Sequence, residues 1–207
     1  MAFQSIWYFT NLPKDVVDVI ERDLSDNFDQ HTEESRLSGN TLNKNIRNSR
    51  NAWIPTHHWI GGFIWHYIER ANRENFLYDL DCVDGESMQY THYEVGQFYN
   101  WHNDAGIPTM YKPRSIGNRD TQALVDDHIS SKIEKVRKLS FVMQLSDPED
   151  YEGGNLQLMD EEGNAYFAPR QRGTVIVFDS RSNHRVLKIT KGLRKSIVAW
   201  AVGPRWK

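Results

Sequence analysis

Lys138-Leu-Ser-Phe-Val-Met-Gln-Leu-Ser146 and Ser196-Ile-Val-Ala-Trp-Ala-Val202 decide the architecture of this chain. Each is a short run rich in aliphatic, β-branched and aromatic residues, too short for a buried helix and flanked by charged or turn-forming residues, which is how a strand reads. Outward from these two, the same texture recurs over 87–95, 97–102, 155–159, 164–168, 173–178 and 185–190. Gly153-Gly154 and the segment from Pro169 to Gly173 mark turns between them.

The N-terminal part reads differently. Asn11-Leu-Pro13 opens a helix whose Val16, Val17, Ile20, Leu24 and Phe28 follow at helical spacing. Ile60, Phe63, Ile64, Tyr67, Ile68 and Ala71 form the apolar stripe of a second helix. Between them, residues 29–51 are polar and read as an exposed connection. Helices followed by many short strands predict a mostly β (α+β) fold, a double-stranded β-helix or jelly roll with the N-terminal helices packed on one sheet. The expected organisation is one domain over 1–207, a helical support region at 1–85 and a jelly-roll core at 86–207. Residues 105–137 interrupt that core as a polar insertion, either a lid or a surface loop.

Composition narrows the function. Lys+Arg 25 against Asp+Glu 28 leaves a net charge of −3, so no global basic field draws nucleic acid or anionic membrane to the 207-residue chain. The single cysteine, Cys82, excludes an internal disulfide and every Cys-rich zinc module, and reads as a buried small apolar group. No apolar run approaches the roughly 18 residues of a membrane span, and no charged-then-apolar leader opens the sequence, so a cytoplasmic protein is expected. Charge is nonetheless segregated. Ser146 to Gly163 carries acids and no base, whereas Arg185 to Lys207 carries bases and no acid, and one of those bases could serve an anionic ligand.

The chemistry-bearing pattern is His102-Asn103-Asp104 with His184 far downstream. Residues i and i+2 of a strand point to the same side, so His102 and Asp104 can converge on one ion. Two imidazoles and a carboxylate on one face form the triad that holds non-haem Fe(II) and leaves positions open for a co-substrate and O2. A His-x-Asp alone occurs readily by chance in a chain of this size. Its company is more specific: Tyr93-Glu-Val-Gly96-Gln-Phe-Tyr99-Asn-Trp-His102-Asn-Asp104, the Gly153-Gly154 turn, Gly173-Thr-Val-Ile-Val-Phe178, His184-Arg-Val186, Gly192-Leu-Arg194 and Trp200.

Over about residues 87–202 this pattern resembles the 2-oxoglutarate- and Fe(II)-dependent dioxygenases of the prolyl 4-hydroxylase-like branch. The resemblance implies that His102, Asp104 and His184 ligate iron. It implies that Arg194, one hairpin beyond His184, forms a two-pronged salt bridge with the distal carboxylate of 2-oxoglutarate. Tyr93 is expected to hydrogen-bond the same carboxylate, Trp200 to wall the pocket, and Tyr99 to contact the ligands or pack in the core. The central strand departs from the family by offering Gln144, beside Met143, where other members place an aromatic. Asp104 is present where related halogenases carry a small residue, so hydroxylation is expected rather than halogenation. The implied activity is hydroxylation of prolyl residues in a peptide or protein, with decarboxylation of 2-oxoglutarate to succinate and CO2. Fe(II), 2-oxoglutarate and O2 would be required, with ascorbate a candidate accessory. Hydroxylation of a free amino acid or other small metabolite is the alternative, and a non-catalytic cupin-like binding module a more distant one. Nucleic acid is not an expected partner, because Arg119 and the Arg47-to-Arg50 segment are basic spots without interleaved aromatics.

Overall fold

The apolar runs become strands of two facing sheets. A computed structural model describes residues 6–37, 41–55, 57–83, 88–105, 135–160 and 162–206. In chain order its elements are β1 (Ile6–Phe9), α1 (Lys14–Phe28), β2 (Glu33–Glu34), β3 (Arg47–Asn48), β4 (Arg50–Ile54), α2 (Ile60–Ala71), β5 (Cys82–Val83), β6 (Met88–Tyr93), β7 (Phe98–His102), β8 (Lys135–Gln144), β9 (Tyr151–Gly153), β10 (Leu156–Met159), β11 (Ala165–Phe167), β12 (Val175–Asp179), β13 (His184–Val186), β14 (Ile189–Gly192) and β15 (Arg194–Pro204).

The major sheet runs β1-β12-β8-β15-β6-β4-β2, with β5 added to β15, and the minor sheet runs β11-β10-β13-β7-β3. A separate β14–β9 pair closes the turn region. This is the expected jelly roll. Period-2 alternation assigns each face of the major sheet. Leu139, Phe141 and Met143 of β8, Val175 and Val177 of β12, and Ile197, Ala199 and Ala201 of β15 pack against Val17, Ile20 and Leu24 of α1 and Ile60, Ile64 and Ile68 of α2. The intervening residues turn inward, where Val142, Ile176 and Phe178 meet Leu156, Leu158 and Val186 of the minor sheet. The helices therefore cover the outside of one sheet, as predicted, and leave its inner face for the site. No described helix is long and apolar enough to cross a membrane.

Several expectations need correction. Residues 29–51 are not a plain exposed connection: they contain β2, β3 and the start of β4, and bury Ser35, Arg47, Ser49 and Asn51. Three of these polar groups bond one another, Ser49 donating to Ser35 at 2.9 Å and Arg47 to Ser49 at 3.0 Å, so burial leaves no apolar trace in the sequence. The 185–190 run divides: β13 pairs in the minor sheet, and β14 leaves it to pair with β9. Arg194 thus stands on the opposite sheet from His184 rather than one hairpin along. Cys82 is half-buried on β5 instead of fully enclosed. Of the 105–137 insertion, 106–134 lie outside the described residues, while Lys135–Arg137 already belong to β8.

Candidate active site

His102 ends β7 and His184 begins β13, and the two are direct antiparallel partners. Their ring centroids lie 4.1 Å apart. Asp104, just past β7, brings its Oδ1 to 3.9 Å from His102 Nε2 and its Oδ2 to 3.5 Å from His184 Nε2. One ligand atom from each residue falls within 4.8 Å of the others, the spacing of donors around one ion. Both imidazoles use Nδ1 to reach a main-chain carbonyl two residues back, His102 to Asn100 at 2.7 Å and His184 to Ser182 at 3.0 Å. A carbonyl only accepts, so each ring carries its proton on Nδ1 and keeps the Nε2 lone pair for a metal. The ring of Tyr99 stacks on His102 at 3.5 Å, and Phe178 packs edge-on to His184 at 4.8 Å.

Electrostatics favour the ligating forms. Burial, and next the facing His184, push His102 down to about 3, so it is neutral near pH 7. Burial alone would raise the Asp104 carboxyl, but His184, His102, Arg137 and a hydrogen bond from Ser140 outweigh it and hold the group at about 2. Two imidazoles that keep Nε2 free, together with an ionised carboxylate, are the donor set that suits Fe(II). The residues present therefore fit the ion.

Arg194 opens β15 directly opposite Tyr93 of β6 and is 2% exposed. Its Nη2 donates to Gln144 Oε1 at 2.8 Å, its Nε has no hydrogen-bond partner, and its guanidinium carbon lies 5.6 Å from the Tyr93 ring. Among the described residues no carboxylate pairs with this buried cation, an arrangement that is costly unless an anion is bound. The Gly153-Gly154 turn makes room for it. A Cβ on Gly154 would lie 2.1 Å from Ile189 Cδ1 and 3.2 Å from Arg194 Cδ, and the turn also holds φ at +62°.

Arg194, the triad, Tyr93, Tyr99 and Trp200 all line one cavity of about 890 Å³ between the sheets. Val142, Leu156, Val186 and Val198 supply apolar wall, and Trp53 and Leu37 stand among the lining residues contributed by the β2–β4 region. Trp200 lines the cavity with the Arg137 guanidinium 3.8 Å above its ring. The structure adds a residue that the sequence marks only as part of a basic spot. Arg47 of β3 is 7% exposed, donates to Ser49 Oγ and Gln89 Oε1, and stacks at 4.8 Å over Tyr99. A single arginine in a polar stretch gives no periodic signal. The adjacent Ala52-Trp53-Ile54 was the available clue that a strand begins there.

With this geometry in place, comparison with known proteins is decisive for the family: residues 88–202 match the 2OG-Fe(II) oxygenase superfamily. The chain belongs to that superfamily. A PKHD-type hydroxylase of Synechococcus sp. (strain JA-2-3B'a(2-13)) is 31% identical over 109 residues, which is 52% of this chain and 39% of the relative. The match thus spans well under half of that relative's length. Among solved structures, a Pseudomonas putida prolyl-4-hydroxylase superposes with a TM-score of 0.66 at 19% identity, covering 98% of this oxygenase and 94% of the other chain. A Trichoplax adhaerens prolyl hydroxylase, solved in complex with a peptide fragment of the hypoxia inducible factor oxygen degradation domain, gives 0.71 at 17% identity over 96% and 84%. At those identities the likeness establishes the shared fold of this oxygenase.

Proposed function

We propose that the chain is an Fe(II)- and 2-oxoglutarate-dependent hydroxylase acting on prolyl residues of a peptide or protein. One observation carries this reading: a buried arginine without a carboxylate partner among the described residues shares a cavity with two imidazoles and a carboxylate clustered within 4.8 Å. His102, Asp104 and His184 would hold the iron. When bound, iron supplies the oxidation of a substrate C–H bond coupled to decarboxylation of 2-oxoglutarate to succinate and CO2.

The remaining work falls to side chains of this chain. Arg194 neutralises the distal carboxylate of the co-substrate, and its fork fixes the direction in which that molecule lies. Gln144 holds one amino group of that fork, which stops the guanidinium from turning away. Tyr93 closes the same end of the cavity. Val142, Leu156, Phe178, Val186 and Val198 keep water from the reacting centre. A cavity of about 890 Å³ stands at the large end of small-ligand sites, about 300–1,000 Å³, and has space for the co-substrate and an entering ring together. Ascorbate is proposed only as an accessory reductant, tested by leaving it out.

Arg47 favours a second reading, the same chemistry on a free amino acid or other small acid. Its hydrogen-bond partners Ser49 and Gln89 are neutral, so it could accept a carboxylate from the ligand. Succinate release over a panel of prolyl peptides and free amino acids, with product masses, separates the two. A 16-dalton gain, about one oxygen atom, on peptides supports the first reading. Turnover confined to free acids supports the second, and no succinate with any member counts against both.

A further inference from the structure

The Asp104 carboxylate does not stand alone. Ser140, on the inward face of β8, donates its hydroxyl to Asp104 Oδ2 at 2.6 Å. Ser140 is 1% exposed and lies 3.0 Å, oxygen to oxygen, from the hydroxyl of Ser180, which is fully buried just after β12. A serine hydroxyl has a single proton. Ser140 spends its proton on the carboxylate, so Ser180 must be the donor to Ser140 Oγ, and the chain has one direction: Ser180 to Ser140 to Asp104. Ser180 also grips the main chain of the same loop. Its carbonyl accepts the amides of Asp104 and Ala105 at 2.9 and 3.0 Å, and its own amide donates to the Lys138 carbonyl at 3.0 Å.

The neighbours make this arrangement deliberate rather than incidental. Ser140 interrupts an otherwise apolar stretch, Leu139-Ser140-Phe141-Val142-Met143, at a position paired with Phe178 on one side and Trp200 on the other. A buried hydroxyl there is costly unless it is satisfied, and its partners are the carboxylate and Ser180. The geometry points to Ser140 and Ser180 as positioning residues that occupy Oδ2 of Asp104, so that the carboxylate offers a metal one oxygen rather than two. A carboxylate chelating through both oxygens would consume a coordination position needed by co-substrate or O2. Held by one oxygen, Asp104 would join His102 and His184 as a single donor and leave room on the metal for co-substrate and O2. Neither serine touches a reacting atom; both act through Asp104. The inference rests on the metal-site reading above.

The test uses the full chain loaded with Co(II), whose visible absorption reports coordination number, and anaerobic Fe(II) titration for affinity. Outer partners of metal ligands typically contribute about 10–100-fold in affinity. Ser140→Ala is expected to weaken Fe(II) binding by about that factor and to change the Co(II) spectrum, with the thermal melt of the metal-free protein as the folding control. Ser180→Ala, which keeps the direct bond to Asp104 but removes its support, should give a smaller shift in the same direction. Ser140→Thr, which keeps the hydroxyl, should restore the wild-type spectrum. If Ser140→Ala does not fold, Ser180→Ala decides. A spectrum and affinity equal to wild type in whichever serine variant decides would overturn the relay while leaving the metal site standing. Wild-type protein that binds neither metal, and that His184→Ala leaves unchanged, would overturn both.

Discussion

His102 and His184 face each other as cross-strand partners of β7 and β13, with ring centroids 4.1 Å apart. The two candidate ligands thus come from strands already joined by main-chain hydrogen bonds, and only Asp104 has to be brought in from a loop. A metal held there ties that loop to the ladder. The site should therefore act as a staple as well as a reaction centre.

Metal should raise stability in proportion to its occupancy. At a hundredfold excess over Kd the gain is about 2.7 kcal/mol, or about 5–10 °C in melting temperature for a chain of this size. Melting curves with Mn(II), a redox-stable surrogate, against chelator should show that difference in wild type and none in His184→Ala. A metal-induced shift of equal size in the variant would place the binding elsewhere.

Arg194→Ala should leave metal uptake intact and impair the co-substrate. Charge-assisted hydrogen bonds are each worth about 1.5–3 kcal/mol, so the KM for 2-oxoglutarate should rise at least about tenfold, and Arg194→Lys should fall between. The ratio of kcat at saturating co-substrate to wild type separates binding from chemistry. An unchanged KM would remove Arg194 from the site.

Gly154→Ala tests how tightly the turn cradles that arginine. The added methyl meets Ile189 Cδ1 at 2.1 Å and Arg194 Cδ at 3.2 Å, and φ is +62°. Overpacking of this kind costs about 1–3 kcal/mol. Urea unfolding should report that loss, and the 2-oxoglutarate KM should rise with it as Arg194 is displaced. Loss of stability with an unaltered KM would show that the turn does not set the arginine's position.

His92 should set part of the acid limit. It lies on the helix-facing side of β6, where burial pushes it down from 6.5 to about 4; nearby Asp29 opposes the shift, and Lys195 and Arg50 add to it. The unfolded chain binds the proton more readily, so stability is complete above about pH 6.5 and is lost as pH falls through the window toward about 4. Unfolding midpoints between those limits should decline less steeply in His92→Gln than in wild type. Parallel curves would assign the acid limit to other groups.

Much of the fold was legible because its strands obey simple physics. The β8 and β15 runs are apolar enough to announce themselves, and their outward residues indeed meet α1 and α2. The segment holding β2 to β4 was illegible for the opposite reason: Arg47, Ser49 and Asn51 are buried but polar, and the bonds of Arg47 to Gln89 and of Ser49 to Ser35 replace the apolar burial that periodicity detects. β1 and β9, at four and three residues, are too short to carry a pattern, and pairing with β12 and β14 defines them. At the site, His102, Asp104 and His184 converge as their spacing and motif context implied. Their supports did not show, since Ser140 and Ser180 become informative only once β8 and β12 bring them beside Asp104.

The central claim is that one cavity holds Fe(II) on His102, Asp104 and His184 and 2-oxoglutarate on Arg194. Anaerobic addition of Fe(II) and then 2-oxoglutarate to the metal-free protein tests it most directly, through the weak visible charge-transfer band of iron-chelated co-substrate. The band should appear in wild type, vanish in His102→Ala, and require far more 2-oxoglutarate in Arg194→Ala. A folded wild-type protein that gives no band would contradict the account.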